Sequence, residues 1–331
     1  MNLALPLWFE ITSLVVLSLI IVFDLVLAFR RPHIPSAKES TAWVSFYVGL
    51  ALVFGVIMYF VAGVEYAGQF VAGWLTEYSL SIDNLFVFII IMARFKVPRL
   101  YQQELLMIGI LLALLFRGVF ILLGAQIIEN FSWVFYIFGA WLLFTAYNQA
   151  FRSHADTDRQ ESAIIRWLRK RVAITDEFNG AKIRTAPGSD GTRAFTPVLL
   201  VLIALGTTDV VFALDSIPAI FGITQSAFIV FAANIFALMG LRQLYFLLGD
   251  LLEKLIYLHY GIAFILGFIG VKLVFHALHE NEVPFINGGQ PVEWIPVINT
   301  WMSLIVIVLA MVVSTVASLM AIRRQKQVDA A

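Results

Sequence analysis

TEYSLSIDN, at residues 76–84, and TDVVFALDS, at residues 208–216, carry one polar pattern inside two long apolar segments. In each copy a threonine and an acid are followed, after five residues, by an aspartate and then an amide or a hydroxyl residue: Thr76, Glu77, Asp83 and Asn84, and Thr208, Asp209, Asp215 and Ser216. A carboxylate at the centre of a bilayer costs about 2.5–3.5 kcal/mol on insertion scales, so intramembrane acids indicate an ion or proton path. Two copies in one chain predict a duplicated transport unit.

The composition is that of an integral membrane protein. Hydrophobic residues make up 61% of the chain, charged residues 13%, and the mean hydropathy is +0.89, which lies outside the range of soluble domains. The formal net charge is zero, so there is no basic surface that would predict a nucleic-acid partner. The chain has no cysteine, which excludes thiolate metal sites, disulfides and thiol redox chemistry.

Apolar segments long enough to cross about 30 Å of hydrocarbon recur along the whole chain. They predict an all-α polytopic protein with about nine spans, at residues 7–29, 41–63, 70–92, 105–125, 132–151, 197–221, 226–248, 256–278 and 298–322. The first of them has no basic region before it and no small-residue cleavage site, so we expect it to remain as a helix and not to be removed as a signal peptide.

The basic residues predict the orientation of these spans. With the N-terminus outside, 19 of the 22 lysines and arginines fall in segments assigned to the cytoplasm and none in an outside segment. The remaining three, Arg117, Arg242 and Lys272, lie within spans. We therefore expect a multi-pass protein of a bacterial-type plasma membrane, with its N-terminus outside and its C-terminus inside.

This topology gives a first testable prediction. A reporter fused at Gly188 should lie in the cytoplasm, because the loop around it is rich in arginine and lysine. A reporter fused within residues 286–290 should lie outside. Enzymatic reporters active on only one side of the membrane measure both positions, and the opposite result would overturn the nine-span topology.

The two polar patterns lie on spans of opposite direction, which predicts an inverted repeat. Arg117 in the fourth span corresponds to Arg242 in the seventh, and Asn148 corresponds to Lys272. The predicted division of the chain is into N-terminal helices (1–69), a first repeat of spans three to five (70–151), a cytoplasmic loop with a basic amphipathic helix (152–196), a second repeat of spans six to eight (197–278), an ordered outside loop (279–297) and a last span with a basic tail (298–331).

The spacing within each pattern places its polar side chains in two adjacent lines. Seven residues turn a helix through about 700°, so Thr76 lies over Asp83 and Glu77 over Asn84. Carboxylate, amide and hydroxyl oxygens suit a hard divalent cation such as Mn²⁺, Mg²⁺ or Ca²⁺. Gly206 and Pro218 are predicted to loosen the sixth span and free backbone carbonyls as further ligands.

The formal charges of the intramembrane residues agree with one divalent cation. Five acids and three bases leave a sum of −2 if all share one cavity and are ionised: Asp24, Glu77, Asp83, Asp209 and Asp215 with Arg117, Arg242 and Lys272. The alternative is that the arginines pair with carboxylates and only hold helices together, since a guanidinium cannot coordinate a cation. The ammonium of Lys272 could leave a carboxylate when a metal arrives, or lose its proton.

Other chemistry is weakly indicated. His276, His279, Glu280 and Glu282 resemble a metal grouping at the outer end of the eighth span, although a solvated helix end is the simpler interpretation. The sequence has no phosphate-binding glycine loop and no nucleophile elbow, so we expect neither an ATP-driven pump nor an enzyme.

Several strings resemble the TerC family of integral membrane proteins: EYSLSIDNLFVF (77–88), TPVLL (196–200), TDVVFALDSIPAIF (208–221), NIFALMGLRQLYFLL (234–248) and FIGVKLV (268–274). The resemblance implies a relation to LysE-type transporters and, for several members, manganese export. It points to Glu77, Asp83, Asn84, Asp209, Asp215 and Ser216 as the polar core. Asn234 is predicted as a supporting residue. The chain departs from the family pattern at Gly206, where an acid is common, and at Asn148, where a lysine is common.

From these observations we expect a secondary transporter that exports a divalent cation, Mn²⁺ first, with proton antiport as one form of coupling. Mn²⁺ would be cargo, and no permanently bound cofactor is expected. The partners are then the lipid bilayer and the ion, while the sequence leaves the oligomeric state open. The alternative is a non-transporting membrane scaffold or assembly factor linked to tellurite or stress resistance.

Overall fold

The computed structural model describes residues 5–30, 35–131, 133–151, 174–175, 178–184, 194–252, 257–284, 286–292 and 294–328. Within these ranges the chain forms ten α-helices. They are α1 (Leu7–Arg30), α2 (Ala37–Ala62), α3 (Val64–Arg94), α4 (Arg99–Asn130), α5 (Val134–Phe151), α6 (Pro197–Phe221), α7 (Ala227–Leu238), α8 (Leu241–Leu252), α9 (Leu258–His279) and α10 (Thr300–Val328). No strand is found in the described residues, only isolated bridges of Phe195 with Ile174 and Arg184, so the all-α prediction is confirmed.

In the described part of the chain, eight segments are long and apolar enough to cross a membrane, which confirms a multi-pass protein. They match eight of the predicted spans, and one of them covers α7 and α8 together. The remaining predicted span, 132–151, also forms a helix, α5. It is only 18 residues long and carries the polar Asn148 and Gln149 in its last turn, and it is not among the eight.

The ends of the helices follow local sequence. The Ser36 hydroxyl accepts the Glu39 backbone N–H at 3.3 Å at the start of α2, and the Ser226 hydroxyl accepts that of Ile229 at 3.4 Å at the start of α7. Such side chains satisfy backbone donors that have no partner within the helix. Pro197 begins α6, where its missing N–H costs nothing.

Helices of each predicted repeat pack against helices of the other repeat. The first helix of each repeat packs on the second span of the other: α3 on α7, and α6 on α4. The third helices, α5 and α9, pack along each other. There a Cβ added to Gly139 would lie 2.9 Å from the carbonyl oxygen of Gly270, so two glycines allow the backbones to touch. A two-fold axis in the membrane plane produces this reciprocal packing. The division of the chain into domains stays a prediction.

The predicted span 226–248 is interrupted at its middle. Met239 and Gly240 separate α7 from α8, and Gly240 has φ +83°. A Cβ at this glycine would lie 3.1 Å from Cδ2 of Tyr47. The sixth span is not interrupted, because α6 runs through Gly206 and Pro218. Pro218 has no N–H for the Leu214 carbonyl four residues before it, so the freeing of carbonyls as ligands stays a prediction. The discontinuous helix, a common feature of transporter binding sites, is in the seventh span instead.

The two long loops are described to different extents. The predicted amphipathic helix of the 152–196 loop lies outside the described residues, apart from Ile174. In the 279–297 loop the amide of Asn281 donates to the carbonyls of Ile286 and Gln290 at 2.6 and 3.2 Å, and its oxygen accepts the Tyr136 hydroxyl at 3.1 Å. These bonds tie the loop to α5, as expected of an ordered cap.

Candidate functional site

Four side chains from four helices meet in the interior of the bundle. Arg117 of α4 binds Asp209 of α6 with two hydrogen bonds, Nη2 to Oδ1 at 3.0 Å and Nε to Oδ2 at 3.4 Å. Nη1 of the same guanidinium donates to Oε1 of Glu77 on α3. The amide of Asn234 on α7 donates to that Oε1 at 3.0 Å. We call these four residues the central cluster.

The central cluster lies midway along its helices. Asp209 is the middle residue of α6, twelve residues from either end, and Glu77 lies thirteen residues after the start of α3. Glu77, Arg117 and Asn234 are fully buried, and Asp209 is 2% exposed. At 1.5 Å per residue, each acid is about 18–20 Å along its helix from the first residue, which is the depth expected of a bilayer midplane.

The cluster has an excess of negative charge and of acceptors. Two carboxylates face one guanidinium, so the formal sum of the described groups is −1. Two buried oxygens of the cluster have no hydrogen-bond partner in the described residues, Oε2 of Glu77 and Oδ1 of Asn234. A third such oxygen, Oγ of Ser216, lies seven residues beyond Asp209, about 10 Å along α6. A buried polar atom without a partner costs about 1–3 kcal/mol. Acceptors left in this condition around two acids are suited to a cation.

The last acid of the second pattern lies apart from the central cluster. Asp215 is six residues beyond Asp209, about 9 Å along α6, and its Oδ1 accepts Nε1 of Trp141 at 2.7 Å and the hydroxyl of Thr145 at 3.0 Å. Both donors belong to α5. Asp83, its counterpart in the first pattern, lies on α3. Its side chain is outside the described part of the structure, and its predicted role stays a prediction.

The other residues of the two patterns have different surroundings. The Thr76 hydroxyl donates to the Ala72 carbonyl of its own helix at 2.8 Å. Asn84 is buried, and Thr208 is half-buried. The Thr76 hydroxyl hydrogen is therefore donated within its own helix, and only the oxygen lone pairs remain available to a ligand.

Of the predicted supporting charges, Arg117 joins the cluster, while Asp24, Arg242 and Lys272 have other partners. Arg242 of α8 binds Asp24 of α1, Nη2 to Oδ1 at 3.0 Å. Lys272 of α9 donates to the Ser303 hydroxyl of α10 at 3.0 Å. The sum of −2 applied only if all eight groups share one cavity, and the contacts of Asp24, Arg242 and Lys272 do not place these three in the cluster. Asn148, at the end of α5, is half-buried.

Within the described residues, no three histidine, aspartate or glutamate side chains come together as a metal-binding group. The structure thus unites one acid from each pattern with an arginine and an amide. It places Asp215 in a second position. Trp141 and Thr145, which hold Asp215, were not predicted, because nothing in an apolar helix such as α5 shows from sequence which side faces α6.

Comparisons with known proteins agree with a polytopic membrane protein. The sequence model of the family described as "Integral membrane protein TerC family" matches residues 62–326. The chain is 44% identical over 319 residues, 95% of its length and 80% of the relative, to the uncharacterized membrane protein Rv2723 of Mycobacterium tuberculosis. It is 37% identical over 270 residues, 78% of its length and 83% of the relative, to Alx of Escherichia coli, whose name proposes a membrane-bound redox modulator. No solved structure shows a significant match.

Proposed function

We propose that this chain, which belongs to the TerC family of integral membrane proteins, is a secondary transporter that exports a divalent metal cation, with Mn²⁺ as the first candidate. One observation carries the proposal. Glu77 and Asp209, the equivalent acids of the two repeated patterns, converge from α3 and α6 on a single buried guanidinium. Intramembrane acids brought together in this way are the usual mark of an ion path.

In this mechanism Arg117 neutralises the carboxylates of Glu77 and Asp209 while no cation is bound. Its guanidinium offers only donors and cannot itself bind a cation, so a metal and Arg117 compete for the same carboxylate oxygens. A cation that reaches the cluster draws Glu77 and Asp209 away from Arg117 and takes up oxygens such as Oδ1 of Asn234. When the cation leaves, Arg117 binds the acids again, and the buried charges are not left uncompensated.

The ligands favour a hard cation. Carboxylate, amide and hydroxyl oxygens are the donors that Mn²⁺, Mg²⁺ and Ca²⁺ share. Manganese takes first place because the family resemblance implies it. Competition by Mg²⁺ and Ca²⁺ against Mn²⁺ flux would rank the three.

A non-transporting membrane factor is the alternative. The central cluster would then be an ion-paired junction that holds α3, α4, α6 and α7 together. The redox role in the name of Alx is a property proposed for that protein. Here it would have to act without thiols, since this chain has no cysteine.

The test is flux through the purified full chain in proteoliposomes, with manganese and internal pH followed together. We expect saturable Mn²⁺ flux that moves protons in the opposite direction, and a reduced response to the pH gradient in Lys272→Gln. The absence of flux above protein-free liposomes would favour the membrane factor. Saturable flux that ignores the pH gradient in both proteins would favour a uniporter.

A further inference from the structure

A large polar cavity opens at the predicted outer end of the bundle. Its volume is about 950 Å³, enough for a hydrated cation. It lies between α3, the loop from α6 to α7, and the last turns of α9. Its polar wall includes Gln69, Thr224, Gln225, Lys272, His276 and Glu280.

On this wall, a carboxylate and an amide both contact the Nε2 atom of one imidazole. Nε2 of His276 lies 3.4 Å from Oε2 of Glu280 and 3.0 Å from Nε2 of Gln225. Two atoms that bind one metal at about 2.1 Å each are about 3.0–3.4 Å apart, depending on the coordination angle. The imidazole and carboxylate side chains are 33% and 52% exposed, so both are accessible to an ion in the cavity.

The surroundings hold the imidazole in place. The ring of Phe135 meets that of His276 edge to face, with centroids 4.7 Å apart and planes at 81°. Glu280 follows His276 by four residues, at the end of α9, so both project from one side of the helix. Turning the Gln225 amide by 180° exchanges its nitrogen and oxygen and would present an oxygen 3.0 Å from the imidazole nitrogen.

The two histidines at the end of α9 have different partners. Nε2 of His279 is bound to the Ile295 carbonyl at 2.6 Å, which ties His279 to the outside loop. Both histidines line the cavity, and Nε2 of His276 lies beside Glu280. Of the metal grouping suggested by the sequence, His276 and Glu280 therefore remain as candidate ligands. The Gln225 amide, from the α6–α7 loop, is a third.

We propose that His276, Glu280 and Gln225 form a second metal site, on the wall of the outer cavity, for a borderline divalent cation such as Zn²⁺. Imidazole with carboxylate and amide oxygens suits Zn²⁺, Co²⁺ and Mn²⁺ better than Mg²⁺ or Ca²⁺. Three protein ligands leave positions for water, so the site exchanges its ion with the outside solution. The inference does not rest on the proposed transport, because binding here is measured without flux.

The experiment is a Zn²⁺ titration of the purified full chain in detergent micelles, with Zn²⁺ alone as the probe. We expect His276→Ala and Glu280→Gln each to weaken binding at one site by about tenfold or more. Gln225→Glu, which supplies a charged oxygen in place of the amide, should tighten binding by a similar factor. His259→Ala, at the other end of α9, and Glu282→Gln, in the outside loop, are the matched controls.

Unaltered Zn²⁺ affinity in His276→Ala, Glu280→Gln and Gln225→Glu would overturn the site. Equal losses in the controls would do so too, because binding would then be non-specific. Gln225→Glu distinguishes a lost metal ligand from poor folding, since a gain in Zn²⁺ affinity requires a folded protein. Manganese flux is scored separately, so the outer site and the transport proposal can fail independently.

Discussion

Replacing Arg117 with leucine is expected to lower the free energy of unfolding by about 3–5 kcal/mol, the cost of removing one partner from a buried ion cluster. Arg117 is fully buried and is the cation that faces both Glu77 and Asp209. Without it, two carboxylates would remain side by side in the interior. Because Glu77 and Asp209 are buried, we expect a strongly reduced yield of folded protein.

Thermal unfolding of the detergent-purified protein measures this effect. Arg94→Leu is the control, because Arg94 is exposed at the end of α3. Arg242→Leu should fall between the two, since its partner Asp24 is a single, 18% exposed carboxylate. If Arg117→Leu unfolds at the temperature of Arg94→Leu, the central cluster contributes nothing to stability.

A triple variant separates the two interpretations of the cluster. Arg117→Met with Glu77→Gln and Asp209→Asn removes all three charges and keeps the volume similar. Replacing a complete buried ion group by neutral residues is often harmless to stability, so we expect the triple variant to recover most of the stability lost in Arg117→Leu. Recovery of stability without recovery of Mn²⁺ flux would favour transport, whereas recovery of both would favour a structural junction.

The positions of the helices could be predicted because hydrophobic length is a local property of sequence. The sixth span was predicted at 197–221 and is observed at Pro197–Phe221. The convergence of Glu77 and Asp209 could also be predicted from the sequence, since a pattern repeated on spans of opposite direction implies related positions in the bundle. The first inference uses the order of residues along one helix, and the second adds only the direction in which each helix crosses the membrane.

The interruption at Gly240 could not be predicted in the same way. Glycine is common in membrane helices, and nothing in the surrounding sequence distinguishes this one from Gly206. The difference lies in tertiary contacts. Tyr47 of α2 packs against Gly240, while a Cβ at Gly206 would meet only Phe116 and Leu112 at 3.7 and 3.9 Å.

The partners of the buried charges depend on helix rotation, which sequence does not specify. Arg117 and Arg242 were matched as equivalents, yet the first binds two repeat acids and the second binds Asp24. Likewise Trp141 and Thr145 reach Asp215 only because α5 presents that side to α6. The close packing of α5 along α9, made possible by Gly139 and Gly270, fixes this rotation.

The second large effect is expected in transport. Asp209→Asn should reduce saturable Mn²⁺ flux in proteoliposomes to that of protein-free vesicles, because half of the carboxylate charge available to the cation is lost from the central cluster. The fold should survive better than in Arg117→Leu, since Glu77 still pairs with Arg117. Glu77→Gln should behave in the same way, and Glu104→Gln, on α4 outside the cluster, is the control with normal flux.

Asp215→Asn should also abolish flux, but for a different reason. An asparagine Oδ1 can still accept the hydrogen bonds from Trp141 and Thr145, so the variant removes charge and retains structure. Asp83→Asn is expected to have the same effect if the two patterns act as equivalents. Normal flux in both of these variants would limit the ion path to the central cluster.

Equilibrium binding then distinguishes the two positions on α6. Asp209 lies in the central cluster, and Asp215 lies about 9 Å closer to the end of α6 that leads to the outer cavity. If the cation is held at the cluster and passes Asp215 on its way out, Asp209→Asn should lose Mn²⁺ binding. Asp215→Asn should keep binding and lose only flux. Loss of binding in Asp215→Asn with normal binding in Asp209→Asn would place the main site beside α5, and would leave the central cluster as a structural ion pair.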